Sequence, residues 1–233
     1  MIQVFYSQFD LPLSSNSWSS LFQYLPLDIK KKCMNYRRWQ DQHAFLLGRL
    51  LLMESLDKIG LKRNMVSNIK YNEYGKPFLN DEIDFTISHS DKFVVCAIAQ
   101  KMKLGIDIES IKNIDFTDYK NIMSDKQWQK IVSSSNPKIA FYRFWTMRES
   151  VMKAEGKGLS IPFLDIEIIN NQVIYDKNTW YLTELTLHKN ICAYLATTAK
   201  NPAFSFFEAD FTSGLKEIKV AQKEVNIIKN YIT

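Results

Sequence analysis

Ile83-Asp-Phe-Thr-Ile-Ser88, Phe93-Val-Val-Cys-Ala-Ile-Ala99 and Leu104-Gly-Ile-Asp-Ile-Glu109 follow one another with short polar breaks, and their reading decides the fold. Each run is rich in β-branched and aromatic residues and bounded by turn formers, so the three read as strands of a meander. The middle run is apolar throughout, as expected of a strand covered on both faces. In the third run alternate side chains share a face, which puts Ile106 and Ile108 on one side and Asp107 and Glu109 on the other.

Upstream lie a strand at Ile2–Phe5, a broken helical stretch from Trp18 to Tyr36, and a helix from Asp41 to Lys58 that Gly60 stops. That helix has Ala44, Leu47, Leu51 and Ser55 on one face, widened by Leu50 and Leu52. A strand near Ser67–Asn72 precedes the turn Glu73-Tyr-Gly-Lys-Pro77. Downstream, Ser124-Asp-Lys-Gln127 has capping-box spacing for a helix through Ile131, and a longer helix, Lys138–Glu155, ends at Gly156. Strands follow near Asp165–Ile169, Gln172–Tyr175, Trp180–Leu187, Ile191–Thr197 and Phe204–Asp210. Leu215, Ile218, Val225, Ile228 and Ile232 recur at helical spacing and predict a closing helix. Each half thus reads as helices followed by antiparallel strands. The expected fold is α+β, in two similar lobes of 1–110 and 111–233, each with helices packed on an antiparallel sheet.

The chain has 233 residues, 46% of them hydrophobic and 24% charged. That is long enough to bury a core without disulfide or metal staples. No apolar run reaches the ~18 residues of a membrane helix, and the opening MIQVFYSQFDLPL lacks the basic start of a secretory leader. Cys33, Cys96 and Cys192 are odd in number and scattered, which predicts free thiols in a reducing cytoplasm. The net charge of +5 suits an anionic small molecule or an acidic protein better than nucleic acid.

Five local patterns carry chemistry. Asp107 and Glu109, about 7 Å apart on one strand face, repel unless a cation lies between them, and such hard oxygen donors suit Mg²⁺. Glu149 and Lys153 share a face of a helix that Phe141, Phe144, Trp145, Met147, Val151 and Met152 make apolar nearly all round. Such a helix is mostly buried, and a buried acid and lysine must be paired or put to use. Ser88-His89-Ser90, at a strand end, offers phosphate donors. Gly156-Lys157-Gly158 and Gly75-Lys76-Pro77 each place a lysine in flexible backbone, where close approach needs glycine.

In chain order, Tyr74-Gly-Lys-Pro77, Phe85-x-Ile-Ser-His-Ser90, Gly105-Ile-Asp-Ile-Glu109 and Phe144-Trp-Thr-x-Arg-Glu-Ser-x-Met-Lys-x-x-Gly-Lys-Gly-Leu-Ser160 resemble the Sfp-type 4′-phosphopantetheinyl transferases. The resemblance runs from about Lys30 to Pro162. It implies a pseudo-twofold monomer with its active site between the lobes. The enzyme would be Mg²⁺-dependent and move the phosphopantetheine arm of coenzyme A to a serine of an apo acyl, peptidyl or aryl carrier protein. Adenosine 3′,5′-bisphosphate would be released.

Carried over, Asp107, Glu109 and Glu149 are the implied Mg²⁺ ligands. Lys153 is the implied diphosphate contact, and Ser88 and His89 are phosphate donors, with His89 helping to neutralise developing charge. Lys76 and Pro77 lie near the adenine and its 3′-phosphate. Lys32, helped by Lys30, belongs to a 3′-phosphate clamp, and Phe45 borders the adenine. Gln127 stands where the family often has a glutamate proposed as general base, which leaves Asp125, a metal ligand or a bound water to take the serine proton. Arg148 replaces a common lysine, and Asp91 a frequent glycine. Two other readings stay open: a non-catalytic coenzyme A-binding relative, and a Mg²⁺-dependent nuclease. The nuclease is the poorer match, because Lys112 lies one residue too far from Glu109 for a D/E-x-K triplet.

Overall fold

The computed structural model describes residues 1–211, 219–223 and 227–228. Along the chain these form β1 (Ile2–Gln8), α1 (Ser15–Phe22), α2 (Leu27–Met34), α3 (Trp39–Lys58), β2 (Lys70–Tyr71), β3 (Pro77–Phe78), β4 (Ile83–Ser90) and β5 (Phe93–Gln100). Next come β6 (Leu104–Ser110), α4 (Asp125–Val132), α5 (Pro137–Glu155), β7 (Gln172–Tyr175), β8 (Asn178–Leu185) and β9 (Ile191–Thr197). The last elements are β10 (Phe204–Asp210), β11 (Lys219–Lys223) and β12 (Ile227–Ile228). The architecture is α+β, in two compact units. The first holds Met1–Tyr71, Pro77–Lys101 and the chain returning from Pro202; the second holds Asn72–Lys76, Met102–Asn201 and β12.

The expected meander is real for two strands only. β4 and β5 pair antiparallel from Ile83↔Gln100 to Ser90↔Phe93. Asp91 takes the left-handed backbone of the turn at φ 55, which an aspartate tolerates better than most residues. β6 does not continue that sheet. It pairs with β9 in the second unit, Asp107 opposite Tyr194, so the division falls after Lys101 and not at residue 110. Periodicity marks Leu104–Glu109 as a strand but cannot name its partner.

The first sheet runs β11-β10-β1-β5-β4. It departs from the all-antiparallel expectation at one place: β1 and β10 are parallel, Val4 opposite Phe206. β10 returns from the far end of the chain and is free of the hairpin constraint that forces antiparallel pairing. The second sheet, β12-β8-β9-β6 with β7 on β8, is antiparallel throughout.

Each sheet is packed by one long helix. α3 buries Leu46, Leu47, Leu50, Leu51, Leu52 and Leu56 almost completely, each contributing ~1.5–3 kcal/mol. Gly48 lets it approach β4: a Cβ there would stand 2.8 Å from Ile87 Cγ2. α5 starts with Pro137 at its first position and the Asn136 side chain accepting from the Ile139 N–H at 3.1 Å, and it ends at Gly156 with φ 79.

Three further expectations change. Ser67–Asn72 is a 3-10 turn, Arg63–Asn68, followed by the two-residue β2. Asp165–Ile169 forms no strand; Phe163–Asp165 is 3-10 and Ile169 makes a single bridge to Gln172. Of the expected tail helix, Ile228 lies in β12 and the neighbouring Lys219–Lys223 is strand. Leu215, Ile218, Val225 and Ile232 lie outside the described residues.

Candidate active site

Gly105, Asp107 and Glu109 occupy alternate positions of β6 and therefore one face, and that face meets α5. A Cβ on Gly105 would sit 2.2 Å from the Ser150 carbonyl oxygen and 2.3 Å from the Ala154 nitrogen. The helix backbone lies directly on the strand, a contact that no residue with a side chain permits. This approach carries the Lys153 ammonium onto Asp107, where it donates to Oδ1 at 2.6 Å. The Asp107 side chain is 5% exposed and that of Lys153 29%.

Glu149, one helical turn before Lys153, faces the same charges. Burial first, then the Asp107 carboxylate, push its carboxyl above the ordinary range; Lys153 pulls it back and Glu109 adds to the rise. Three carboxylates thus share one field with one lysine, a net negative site. Among the described residues no group of three or more His, Cys, Asp or Glu side chains is placed to hold a metal ion. The donor chemistry nonetheless fits Mg²⁺, which takes hard oxygens, usually one or two from protein, and completes its octahedron with water and substrate phosphate. All three acids lie in the second unit, although the sequence division at residue 110 put Glu149 in a different lobe from Asp107 and Glu109.

Next to Glu149 the helix is anchored by a group that points the other way. Arg148 is 0% exposed, and its guanidinium donates to Gln127 Oε1 and to the Ile166 carbonyl at 3.4 Å. No carboxylate pairs with it among the described residues, and burial brings its pKa down to about 10. Gln127 is therefore only half of the expected capping box. Ser124 Oγ accepts from the Gln127 N–H at 3.4 Å, but the amide turns inward to Arg148 and is 4% exposed.

Lys76 is held inside the second unit, its Nζ donating to the Ala154 carbonyl at 3.0 Å and the Leu104 carbonyl at 3.4 Å. The Ala154 carbonyl is at the C-terminal end of α5, where a cation is favoured, and that of Leu104 opens β6. Asn72, which the sequence did not single out, organises this turn. Its Oδ1 accepts from the Tyr74 and Lys76 N–H groups and its Nδ2 donates to Gly156 O at 2.8 Å. Pro77 opens β3, in the first unit, opposite Tyr71.

Elsewhere in the first unit, a pocket of ≈ 390 Å³ is lined by Lys32, Asn35, Tyr36, Phe45, Arg49 and Tyr71. The structure thus brings together two expected nucleotide contacts, Lys32 and Phe45. Lys32 Nζ lies 4.1 Å from the centre of the Tyr71 ring. Lys30 points elsewhere, donating to the Gln23 carbonyl at 3.1 Å; residues two apart on a helix leave on nearly opposite sides. Ser88 and His89 are consecutive on β4 and so project to opposite faces, Ser88 buried and His89 exposed. Sequence reasoning missed Arg49, although an arginine inside Leu46-Leu-Gly-Arg-Leu-Leu-Leu52 is a charge in an otherwise apolar run.

Comparison with known proteins matches both units of the chain. The model of the 4′-phosphopantetheinyl transferase superfamily matches residues 103–202, and that of the 4′-phosphopantetheinyl transferase N-terminal region matches 12–101. The two abut where the chain divides. The 4′-phosphopantetheinyl transferase gsp of Aneurinibacillus migulanus is 35% identical over 167 residues, covering 68% of this chain and 70% of that protein. The transferase Sfp of Bacillus subtilis (strain 168) is 32% identical over 157 residues, covering 66% and 70%. A vertebrate relative, the L-aminoadipate-semialdehyde dehydrogenase-phosphopantetheinyl transferase of Xenopus laevis, is 26% identical over 173 residues, covering 66% and 57%. With identity and coverage of this extent through both units, the chain belongs to the 4′-phosphopantetheinyl transferase superfamily.

Proposed function

We propose that this 4′-phosphopantetheinyl transferase moves the phosphopantetheine arm of coenzyme A to a carrier-protein serine, using Mg²⁺ held by Asp107, Glu109 and Glu149. The observation that carries the reading is the joint placement of these acids and Lys153, with Lys153 Nζ 2.6 Å from Asp107 Oδ1. When bound, Mg²⁺ supplies positive charge to the diphosphate oxygens as charge develops there.

The chain's own residues do the rest. Lys153 holds a diphosphate oxygen with a cation that Asp107 keeps in place. His89, the exposed member of the Ser88-His89 pair, donates to phosphate, and Lys32 and Phe45 receive the nucleotide end in the pocket of the first unit. Lys76 and Pro77 support the nucleotide side of the site through the turn they occupy, whereas Lys30, turned to the Gln23 carbonyl, is left out of it. That one coenzyme A molecule engages both units, related as pseudo-twofold lobes, is part of the proposal.

The serine oxygen attacks the phosphorus bearing pantetheine, and the bond from that phosphorus to the bridging oxygen of the diphosphate breaks. The electron pair leaves with adenosine 3′,5′-bisphosphate. Phosphoryl transfer of this kind depends mainly on positioning and charge neutralisation. The serine proton goes to Asp125, to one of the metal-ligating carboxylates or to a bound water, and not to Gln127, which is buried on Arg148.

The setting we propose is a monomer in the cytoplasm that binds neither nucleic acid nor membrane. Free, buried Cys33, Cys96 and Cys192 suit a reducing compartment. No helix among the described residues is long and apolar enough to cross a membrane. The test is intact-mass spectrometry of several apo carrier proteins incubated with this chain, coenzyme A and Mg²⁺. The reading expects each accepted carrier to gain the mass of one phosphopantetheine. No gain on any acyl, peptidyl or aryl carrier contradicts it.

A further inference from the structure

We propose that Asn72 is a positioning residue for the transfer step: through the turn Asn72–Lys76 it straps the last turn of α5 to the start of β6 and so holds Lys153 against Asp107. The proposal rests on the transferase reading and adds to it a residue that acts on another side chain rather than on coenzyme A. The backbone closes this turn by itself. The Asn72 N–H donates to the Lys76 carbonyl at 3.0 Å and the Gly75 N–H to the Asn72 carbonyl at 3.0 Å, with Gly75 at φ 87. Asn72 Oδ1 adds an acceptor for the Tyr74 and Lys76 N–H groups at 3.0 and 2.8 Å. The local turn thus uses the oxygen of the side chain. The nitrogen reaches out of the turn, to the Gly156 carbonyl at 2.8 Å.

An α-helix leaves the carbonyls of its last turn without partners in the helix, and that end frays unless other groups supply donors. Lys153 stands in the last turn of α5. The strap supplies donors just beyond it, Lys76 Nζ to the Ala154 carbonyl at 3.0 Å and Asn72 Nδ2 to the Gly156 carbonyl. Lys76 Nζ also reaches the carbonyl of Leu104, which opens β6, at 3.4 Å. The fit is close: a Cβ on Gly156 would stand 2.8 Å from Lys76 Cδ and 3.2 Å from Asn72 Nδ2. Glu155 pins the same turn to β8, its Oε1 accepting from Trp180 Nε1 at 2.7 Å and from Asn178 Nδ2 at 3.1 Å. Lys76 ties it to β6, the strand that carries Asp107. Held on two strands, the turn keeps Lys153 Nζ 2.6 Å from Asp107 Oδ1. Misplacing such a group by about an ångström costs on the order of a hundredfold in rate.

The test compares the full wild-type chain with Asn72→Asp and Lys76→Met in two readouts. Asn72→Asp keeps the acceptor that the turn uses and loses the donor to Gly156. Lys76→Met keeps a stem over Gly156 and loses the ammonium. The first readout is the rate at which an amine-reactive acetyl ester labels Lys153 without metal or coenzyme A, followed by peptide mass spectrometry. Lys153 should react slowly in the wild type and at least about threefold faster in both variants, because the turn opens locally. The second readout is carrier loading with coenzyme A varied. Charge on the diphosphate develops in the transition state, so kcat should fall ~10- to 100-fold in both variants while KM for coenzyme A stays within about twofold of wild type. Circular dichroism checks that the variants fold; should one of them unfold, the other decides.

Equal labelling of Lys153 in all three proteins, or kcat within about threefold of wild type in the variants, overturns the proposal while leaving the transferase intact. A rise in KM for coenzyme A with kcat unchanged also overturns it, since that pattern belongs to residues that contact the ligand. Faster labelling in the variants, with no carrier loaded by the wild type, supports the strap and contradicts the transferase reading.

Discussion

α3 and α5 are each the long helix of their unit, and each depends on a glycine to reach its sheet, but the glycine lies on opposite partners. In the first unit it is on the helix: Gly48 clears Ile87 Cγ2, the tip of a side chain. In the second it is on the strand, where Gly105 meets the backbone of α5 at Ser150 and Ala154. Side chains can rotate to relieve a contact and backbone cannot. The second interface is therefore the more rigid, and it is the one that carries Asp107, Glu109, Glu149 and Lys153. α3 carries its lone buried arginine toward a pocket. Rigid placement suits charges that must meet a reacting phosphate, whereas a pocket needs only to receive a ligand.

The strongest way to break this comparison is Gly105→Val, which drives branched atoms into the helix backbone. We expect a loss of at least about 3 kcal/mol in urea unfolding and no transferase activity, the upper end of overpacking costs. A loss under about 1 kcal/mol would mean that α5 can shift and the contact is not rigid. Second in size is Glu149→Gln. Turnover should fall at least ~100-fold, an order typical of losing one charge-stabilising group. The melting temperature should not fall, because burial and the adjacent carboxylates already disfavour the Glu149 charge. Activity within tenfold of wild type would remove Glu149 from the proposed metal set.

Gly48→Ala should be far milder than any change at Gly105. Ile87 can turn aside, and alanine improves helix propensity by ~1 kcal/mol, so we expect a net change within about 1 kcal/mol of zero. A loss matching that of Gly105→Val would abolish the distinction between the two interfaces.

The smallest effect concerns His43 on α3, whose Nε2 accepts from the Leu13 N–H at 2.9 Å while Nδ1 faces the Trp39 carbonyl at 2.8 Å. Burial lowers its pKa below 6.5. The neutral ring therefore contributes stability that is complete above pH ~6.5 and is lost as pH falls through the depressed folded value. Melting curves from pH 7.5 down to 5 should show this decline, and His43→Gln, which keeps an acceptor for Leu13, should flatten it. An unchanged decline in that variant would assign the titration to another group.

How much of this was legible follows from what each signal depends on. Strand alternation and i, i+4 spacing are local, so Asp107, Glu109, Glu149 and Lys153 could be read directly, together with the faces that bring them into one field. The partner of β6 could not, because pairing is decided by chain segments nearly ninety residues away. Lys76 was read as a ligand contact, and its acceptors at Leu104 and Ala154 are backbone carbonyls, which leave no mark in sequence. Gln127 has capping-box spacing, yet its amide turns to Arg148, a choice set by the buried charge. The four glycines beside charged groups also divide. Gly105 and Gly156 have atoms where a Cβ would go, while Gly75 and Gly158 meet nothing within 4 Å and serve their positive φ.

The central claim, one divalent cation shared between a substrate diphosphate and the acids facing each other across α5 and β6, is tested most directly by Mn²⁺ binding. Electron paramagnetic resonance of Mn²⁺ titrated into the chain with coenzyme A present should show a bound ion in the wild type. Affinity should fall at least ~10-fold in Glu149→Gln and in Asp107→Asn. Equal Mn²⁺ affinity in all three proteins, or a bound signal unchanged by coenzyme A, would contradict the account.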